Sequence, residues 1–328
     1  MTESGPWAIE VRGLAKRFGR VQALAGVDFE VREGEVFGFL GPNGAGKTTT
    51  IDLLTGLARP DRGTIAVAGL DVTGRPQAAQ HRLGVVPDES NLYDELTGFE
   101  NLCFCASLYG IGRRMREARA AVLLDEFGLA EAAGRKFGGY SKGMKRRLTI
   151  AAGIIHEPPV LFLDEPTTGL DVASARHIRR LIAELNRRGT TIFLTTHYIE
   201  EAERLCHRIA FLVAGRVVRT DSVAALMGEA HGQHVVEFAL GSGGAARAEE
   251  LAAAFPEVTV RVVADNALRV DSPRPLPIAP LVRLLEERGV EVTEARKLRP
   301  SLEEVFVRIT GIEAAAMTEN GTASGGSA

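Results

Sequence analysis

The chain of 328 residues is long enough for two or three domains with real cores, and its 45% apolar and 25% charged content matches an ordinary soluble globular protein. A net charge of −3 carries no electrostatic footprint for nucleic acid, and the three cysteines are too few for a disulfide framework. The start lacks the basic and then apolar blocks of a signal peptide. Apolar runs such as "VLFL" and "IAFLVAG" fall far below the roughly 18–20 residues of a membrane helix, so the chain is not expected to span a bilayer by itself.

Between residues 7 and 40, "WAIEV", "VDFEV" and "VFGFL" read as short strands separated by glycine and charged turns. Residues 46–57 read as a helix with Leu53, Leu54 and Leu57 on one face and Gly56 near its end. Strands "TIAVAG" and "LGVVP" follow. Alanine, leucine and arginine dominate residues 96–135, which predicts several helices. After Pro158 and Pro159, "VLFL" returns as a buried strand. A helix over 172–188 carries Ile178, Leu181, Ile182 and Leu185 on one face, and "TIFLTT" with a helix over about 198–206 completes the unit. Strands alternating with helices predict an α/β fold, a mostly parallel sheet with helices on both faces.

From about residue 233, "HVVEFAL", an alanine-rich helix, "VTVRVV", "ALRV", a helix near 279–289 and "VEVTEA" predict a small α+β domain. The tail from Glu313 is rich in glycine, serine and alanine and is expected to be disordered.

The strongest motif is "GPNGAGKTT", placed between a strand and a helix. Gly41, Pro42, Asn43, Gly44, Ala45 and Gly46 form a turn whose backbone N–H groups can face phosphates. Lys47 then reaches the β/γ-phosphates, Thr48 is a Mg²⁺ ligand, and Thr49 is the last ATP-binding residue of the motif. In "VLFLDEP" the strand end delivers Asp164 and Glu165 to the crevice where ligands bind in such sheets. Asp164 suits the Mg²⁺ position and Glu165 a water aimed at the γ-phosphate. Ser141 is an N-cap for a helix over about 142–156, with Gly143 leaving N–H groups accessible. Read alone, that segment is more plainly a capped helix with a basic first turn. His197 ends the strand "TIFLTT" within reach of a phosphate, where a structural histidine is the plainer reading. Cys103 and Cys105 stand two apart on a helix and do not share a face. They are read as core residues of the helical region and not as a metal site. Arg113, Arg114, Arg116 and Arg119 read as a solvated face, with a partner contact as the alternative.

In their order, "GPNGAGKTT", "YSKGM", "LFLDEPTTGLD" and "TTH" resemble the ATP-binding-cassette (ABC) ATPases over about residues 7–230. The resemblance implies a P-loop cassette with a RecA-like parallel sheet, an antiparallel β subdomain and a helical subdomain over about 96–155. An accessory domain over 231–311 and the tail 312–328 would follow. It implies that "YSKGM" is a variant of the L-S-G-G-Q signature, with Tyr140 for Leu, Lys142 for the first glycine and Met144 for Gln. Ser141, Lys142, Gly143 and Met144 would then act in trans, on ATP held by a second subunit. It further implies a D-loop ending at Asp171, a switch histidine at His197, and Phe18 stacked on adenine unless that ring is only a packed surface aromatic.

The strand "LGVVP" leads in this family to a glutamine that touches Mg²⁺ and the attacking water. Asp88 occupies that position here, and Gln80 lies before the strand and cannot substitute. Asp88 is either a metal-side ligand or a cap for the turn after Pro87. The C-terminal domain, with "RPSLEEVFVRITG", is similar to that of ABC-2-type exporter cassettes of the daunorubicin-resistance and sodium-export kind. The resemblance implies ATP and Mg²⁺, a second copy or a related cassette, and a separate ABC-2-type transmembrane permease. That permease would hold the chain on the cytoplasmic face of the membrane. The competing reading is a soluble ABC ATPase acting on a macromolecular partner, DNA or the ribosome. The single phosphate loop, the lack of a long coiled-coil insertion and the acidic balance weigh against it. A small-molecule phosphotransferase would leave "YSKGM" unexplained.

Overall fold

Alternation of apolar and polar residues makes a long hairpin of the first strands, β1 (Trp7–Phe18) and β2 (Val21–Arg32), which bury Ile9, Val11, Leu14, Val27, Phe29 and Val31 on one side. The computed structural model describes residues 7–231, 234–241, 244–298, 301–312 and 317, so the expectation for the tail lies almost wholly outside the described residues. β3 (Val36–Leu40), buried at every position, leads to α1 (Lys47–Leu54), and β4 (Arg62–Val67), β5 (Leu70–Asp71), α2 (Pro76–Gln80) and β6 (Leu83–Val86) follow. Next come three helices, α3 (Gly98–Leu108), α4 (Arg113–Glu126) and α5 (Lys142–Ile154). The chain then re-enters the sheet as β7 (Val160–Asp164), α6 (Val172–Arg187), β8 (Thr191–Thr196), α7 (Ile199–Leu205), β9 (Arg208–Val213) and β10 (Arg216–Ser222).

One sheet has the order β2-β1-β4-β5 and is antiparallel; the other has the order β10-β9-β3-β8-β7-β6 and is parallel except for β10. Phe29 on the first sheet meets Phe37, Phe39 and Phe193 on the second at ring-centroid distances of 5.3–5.7 Å. Burying each such ring is worth about 1.5–3 kcal/mol. The two sheets and α1 thereby share one core, which fixes where the strand ends of β3, β7 and β8 open. Leu53 and Leu54 belong to that core, but Leu57 is 68% exposed. The helix ends at Leu54, so the 3.6-residue spacing that placed Leu57 on the same face no longer applies. Cys103 and Cys105, expected as core residues of the helical region, are half-buried.

A first compact unit runs as far as Ser222, and a second spans Val223–Gly311. The division falls before the expected residue 230, because α8 (Val223–His231) packs on α11 (Leu302–Thr310) and belongs with the second unit. That unit also holds β11 (His234–Leu240), α9 (Gly244–Ala254), β12 (Thr259–Ala264), β13 (Ala267–Ser272), α10 (Ile278–Glu287) and β14 (Val292–Leu298). Its antiparallel sheet, of order β12-β13-β11-β14, buries Val236, Phe238, Leu268 and Val270 with Leu251, Leu281 and Leu285 of α9 and α10.

Candidate active site

The loop 41–46 turns sharply into α1. Gly46, the N-cap, has φ 108°, and a β-carbon there would lie 2.6 Å from the Ala23 carbonyl oxygen, so only glycine fits. The buried Lys47 ammonium folds back onto the loop, donating to the carbonyls of Gly41 at 2.8 Å and Pro42 at 3.2 Å. It also stands 3.2 Å from Glu165 Oε1. A lysine beside the first N–H groups of a helix offers the charge and the geometry that suit a phosphate.

Parallel pairing of β3, β8 and β7 brings the other groups to the same end. Thr48 Oγ1 donates to Asp164 Oδ2 at 2.9 Å, and Thr195 Oγ1 donates to Asp164 Oδ1. Among the described residues no group of three or more His, Cys, Asp or Glu side chains could cage a metal. Thr48 and Asp164 are a hydroxyl and a carboxylate, hard oxygens that fit Mg²⁺, an ion that takes few protein ligands and completes its shell with phosphate and water.

Glu165 has φ 46°, a conformation that costs a non-glycine residue about 1–3 kcal/mol. The strain is held by Thr195, whose carbonyl and hydroxyl both accept from the Glu165 N–H, at 3.1 and 3.2 Å. The bend turns the carboxylate onto His197 Nδ1 at 2.9 Å and lets Thr168 Oγ1 donate to it at 3.2 Å. Burial works to raise the Glu165 carboxyl, but the His197 hydrogen bond and the Lys47 charge outweigh it and hold the group below its ordinary value. It is therefore a carboxylate at neutral pH, buried and aimed, as a group that polarises water must be.

Ser141 caps α5 as expected, accepting from the Met144 N–H at 3.3 Å. Tyr140 is buried, and its hydroxyl donates to the Ala132 carbonyl at 2.7 Å, which explains why a phenol is accommodated there. Asp171 caps α6 through the Ser174 N–H at 2.9 Å. Gln80 donates to the Thr55 carbonyl, away from the strand end. Asp88 is exposed just beyond β6. Its carboxylate makes no hydrogen bond among the described residues, so the turn after Pro87 is not capped by it. Phe18 is 53% exposed and presents its ring beneath the Lys16 ammonium at 5.2 Å.

Two buried groups escaped the sequence reading. Arg146, one turn into α5, ties together three segments. Its Nε donates to the Pro166 carbonyl at 3.0 Å, Nη1 donates to those of Pro87 and, at 3.0 Å, Asp88, and Nη2 donates to that of Asp164. The other is Glu201 on α7, whose carboxyl is pushed up by burial and accepts from Thr167 Oγ1 at 2.7 Å. A basic residue at 146 within "MKRRL" and an acid in "YIEEAE" read as surface charges; only the tertiary fold buries them. Arg146→Met, of similar volume, leaves four carbonyls without their donor and is expected to destabilise the first unit by about 3–5 kcal/mol. Thermal and chemical denaturation check this, and an unchanged midpoint would show that the four bonds hold nothing together.

Comparison with known proteins identifies the family. The ABC transporter family model matches residues 24–168. The chain is 42% identical over 309 residues to daunorubicin resistance ATP-binding protein DrrA3 of Streptomyces coeruleorubidus, covering 93% of this chain and 96% of that one. It is 41% identical over 307 residues to Nod factor export ATP-binding protein I of Burkholderia orbicola, covering 93% and 97%. A dimeric ATP-binding cassette, MJ0796, in a post-hydrolysis state with ADP and Pi, superposes with TM-score 0.61 at 26% identity, over 66% of this chain and 98% of that one. The chain belongs to the ABC transporter family, as one of its ATP-binding subunits.

Proposed function

We propose that the chain is the ATP-hydrolysing subunit of an exporter, driving a substrate through a separate transmembrane permease of the ABC-2 type. The observation that carries this reading is Glu165, bent past the end of β7 by a positive φ and held between Lys47 and His197. The loop 41–49 binds the triphosphate, and Phe18 offers a face for the adenine. Thr48 and Asp164 hold Mg²⁺, with Asp88 as a further candidate on the metal side; the ion, when bound, offsets phosphate charge. Glu165 polarises a water that attacks the γ-phosphorus, the bond to the β–γ bridging oxygen breaks, and ADP and phosphate form. His197 orients the carboxylate and faces the γ-phosphate.

A second cassette completes the site. Ser141, Lys142, Gly143 and Met144 lie at the start of α5, which faces α6 of its own chain. They are proposed to reach ATP on a partner subunit, with Asp171 at the same contact. No helix among the described residues is long and apolar enough to cross a membrane, so a permease on another chain supplies the path and holds this subunit at the cytoplasmic surface. Both curated relatives named above carry drug-resistance or export names, which favours export over a soluble macromolecular role. Co-expression with the membrane protein encoded beside it tests the pairing. The two are expected to co-purify, with ATP hydrolysis rising when the transported compound is added. A rate indifferent to both permease and compound would count against transport.

A further inference from the structure

The parallel pairing of β7 with β8 ends at Asp164 and Thr195. Beyond that pair the two segments part, one into the turn 165–171 and the other through His197 into α7, and individual bonds replace the ladder. Thr195 accepts from the Glu165 N–H, and His197 Nδ1 meets Glu165 Oε2 at 2.9 Å. A further bond joins the same two segments: Thr167 Oγ1 donates to Glu201 Oε1 at 2.7 Å. Its donor stands two residues after the water-polarising carboxylate, and its acceptor four residues after the histidine.

Glu201 is a buried acid that the hydrolysis step does not use. It is 3% exposed, Thr167 is buried with it, and Oε2 is enclosed with no hydrogen-bond partner among the described residues. The favour shown to acids in the first turn of a helix does not explain it, because that interaction is available at the surface. The neighbouring Glu200, in the same turn, is exposed and accepts from Arg204 Nη2 at 2.6 Å. Enclosing a carboxyl costs free energy that its bonds have to offset. Burial pushes the Glu201 carboxyl up, toward the neutral acid, which still keeps an acceptor oxygen for Thr167.

The turn that this bond holds is the one that carries Glu165. Arg146 Nε fixes the Pro166 carbonyl from α5 at 3.0 Å, and Glu201 fixes the next residue from α7. Inside the turn, the Thr168 N–H donates to the Glu165 carbonyl at 3.3 Å and Thr168 Oγ1 donates to its carboxylate at 3.2 Å. A displacement of Thr167 is therefore passed on to Glu165 through the adjoining residue. The contact of His197 with Glu165 has to serve the nucleotide, whereas neither partner of the Thr167–Glu201 bond is assigned to it.

We propose that Glu201 is a positioning residue for hydrolysis: by holding Thr167, it keeps the turn that carries Glu165 in register with the segment that carries His197. The inference rests on the reading of Glu165 and His197 as parts of an ATP site. The test is steady-state ATP hydrolysis by the full chain, with a thermal melt of every variant. Thr167→Val removes the donor with little change of shape. It is expected to lower kcat about tenfold, the scale of a small misplacement of a reacting group, with KM for ATP little changed. Glu201→Leu is expected to act alike, and the double variant to be no slower than the slower single one. Glu201→Gln keeps an acceptor for Thr167 and is expected to recover most of the rate that Glu201→Leu loses. With His197→Ala already in place, Thr167→Val is expected to change kcat by less than about twofold, because the contact it aligns is gone. An unchanged kcat in Thr167→Val, an equal fall with and without His197, or a Glu201→Gln as slow as Glu201→Leu overturns the positioning role and leaves the site reading intact. An unaltered chain that neither binds nor hydrolyses ATP instead overturns the site reading on which the role rests.

Discussion

Glu165→Gln is expected to bind ATP as well as the unaltered chain or better, and to hydrolyse it about 10²–10⁴-fold more slowly. The amide keeps the size of the side chain and can still meet Thr168 and His197, so the bend at φ 46° and its Thr195 support survive. It cannot accept a proton from water. It also removes the negative charge 3.2 Å from Lys47, which frees that ammonium for phosphate. Under the proposed dimer mechanism, ATP-bound dimers accumulate and become visible by light scattering after size exclusion. Near-normal single-turnover hydrolysis would sink the assignment, and a joint fall in affinity and rate would make Glu165 a structural residue.

The sign of the pH dependence follows from the same contacts. His197 and Lys47 hold Glu165 below its ordinary value, so the base form is present through neutral pH and lost only as pH falls through that lowered range. When ATP draws Lys47 toward its phosphates, one of these supports weakens. The acid limb of kcat, which reports the complex, is therefore expected at higher pH than that of kcat/KM, which reports the free enzyme.

What could be read from the chain was whatever a single segment determines. The glycines and lysine of 41–49 carry their own geometry, and the apolar run at 160–163 announces where the next two acids emerge. The amphipathic spacing of α6 places Ile178 and Ile182 inward before any partner is known. What stayed hidden was whatever two distant segments decide together. Thr195 stabilises the bend at Glu165 from the neighbouring strand, and nothing near 165 in sequence announces it. Arg146 looks like one cation in a basic run, and only the meeting of β6, β7 and α5 supplies its four carbonyls. Leu57 failed for the opposite reason: periodicity ran past the point where the backbone stopped being helical.

Lys47→Ala is expected to lower ATP affinity by at least about 100-fold. Each charge-assisted hydrogen bond from the ammonium to a phosphate oxygen is worth about 1.5–3 kcal/mol, and two of them amount to a factor of about 10²–10⁴. The loss has a second component that the ion pair at 3.2 Å makes specific to this site. Without Lys47, the buried Glu165 carboxylate loses a cation and meets the incoming γ-phosphate as an unbalanced like charge. Adding Glu165→Gln to Lys47→Ala is therefore expected to recover part of the lost affinity, even though it removes a second charged group from the pocket. Titration with ATP, followed by calorimetry, separates the two components: the single variant measures their sum, and the double variant measures the phosphate contacts alone. Affinity for the single variant within threefold of the unaltered chain would remove Lys47 from the phosphate site. If the double variant binds no better than the single one, Lys47 acts on the phosphates only, and its contact with Glu165 carries no part of ATP binding.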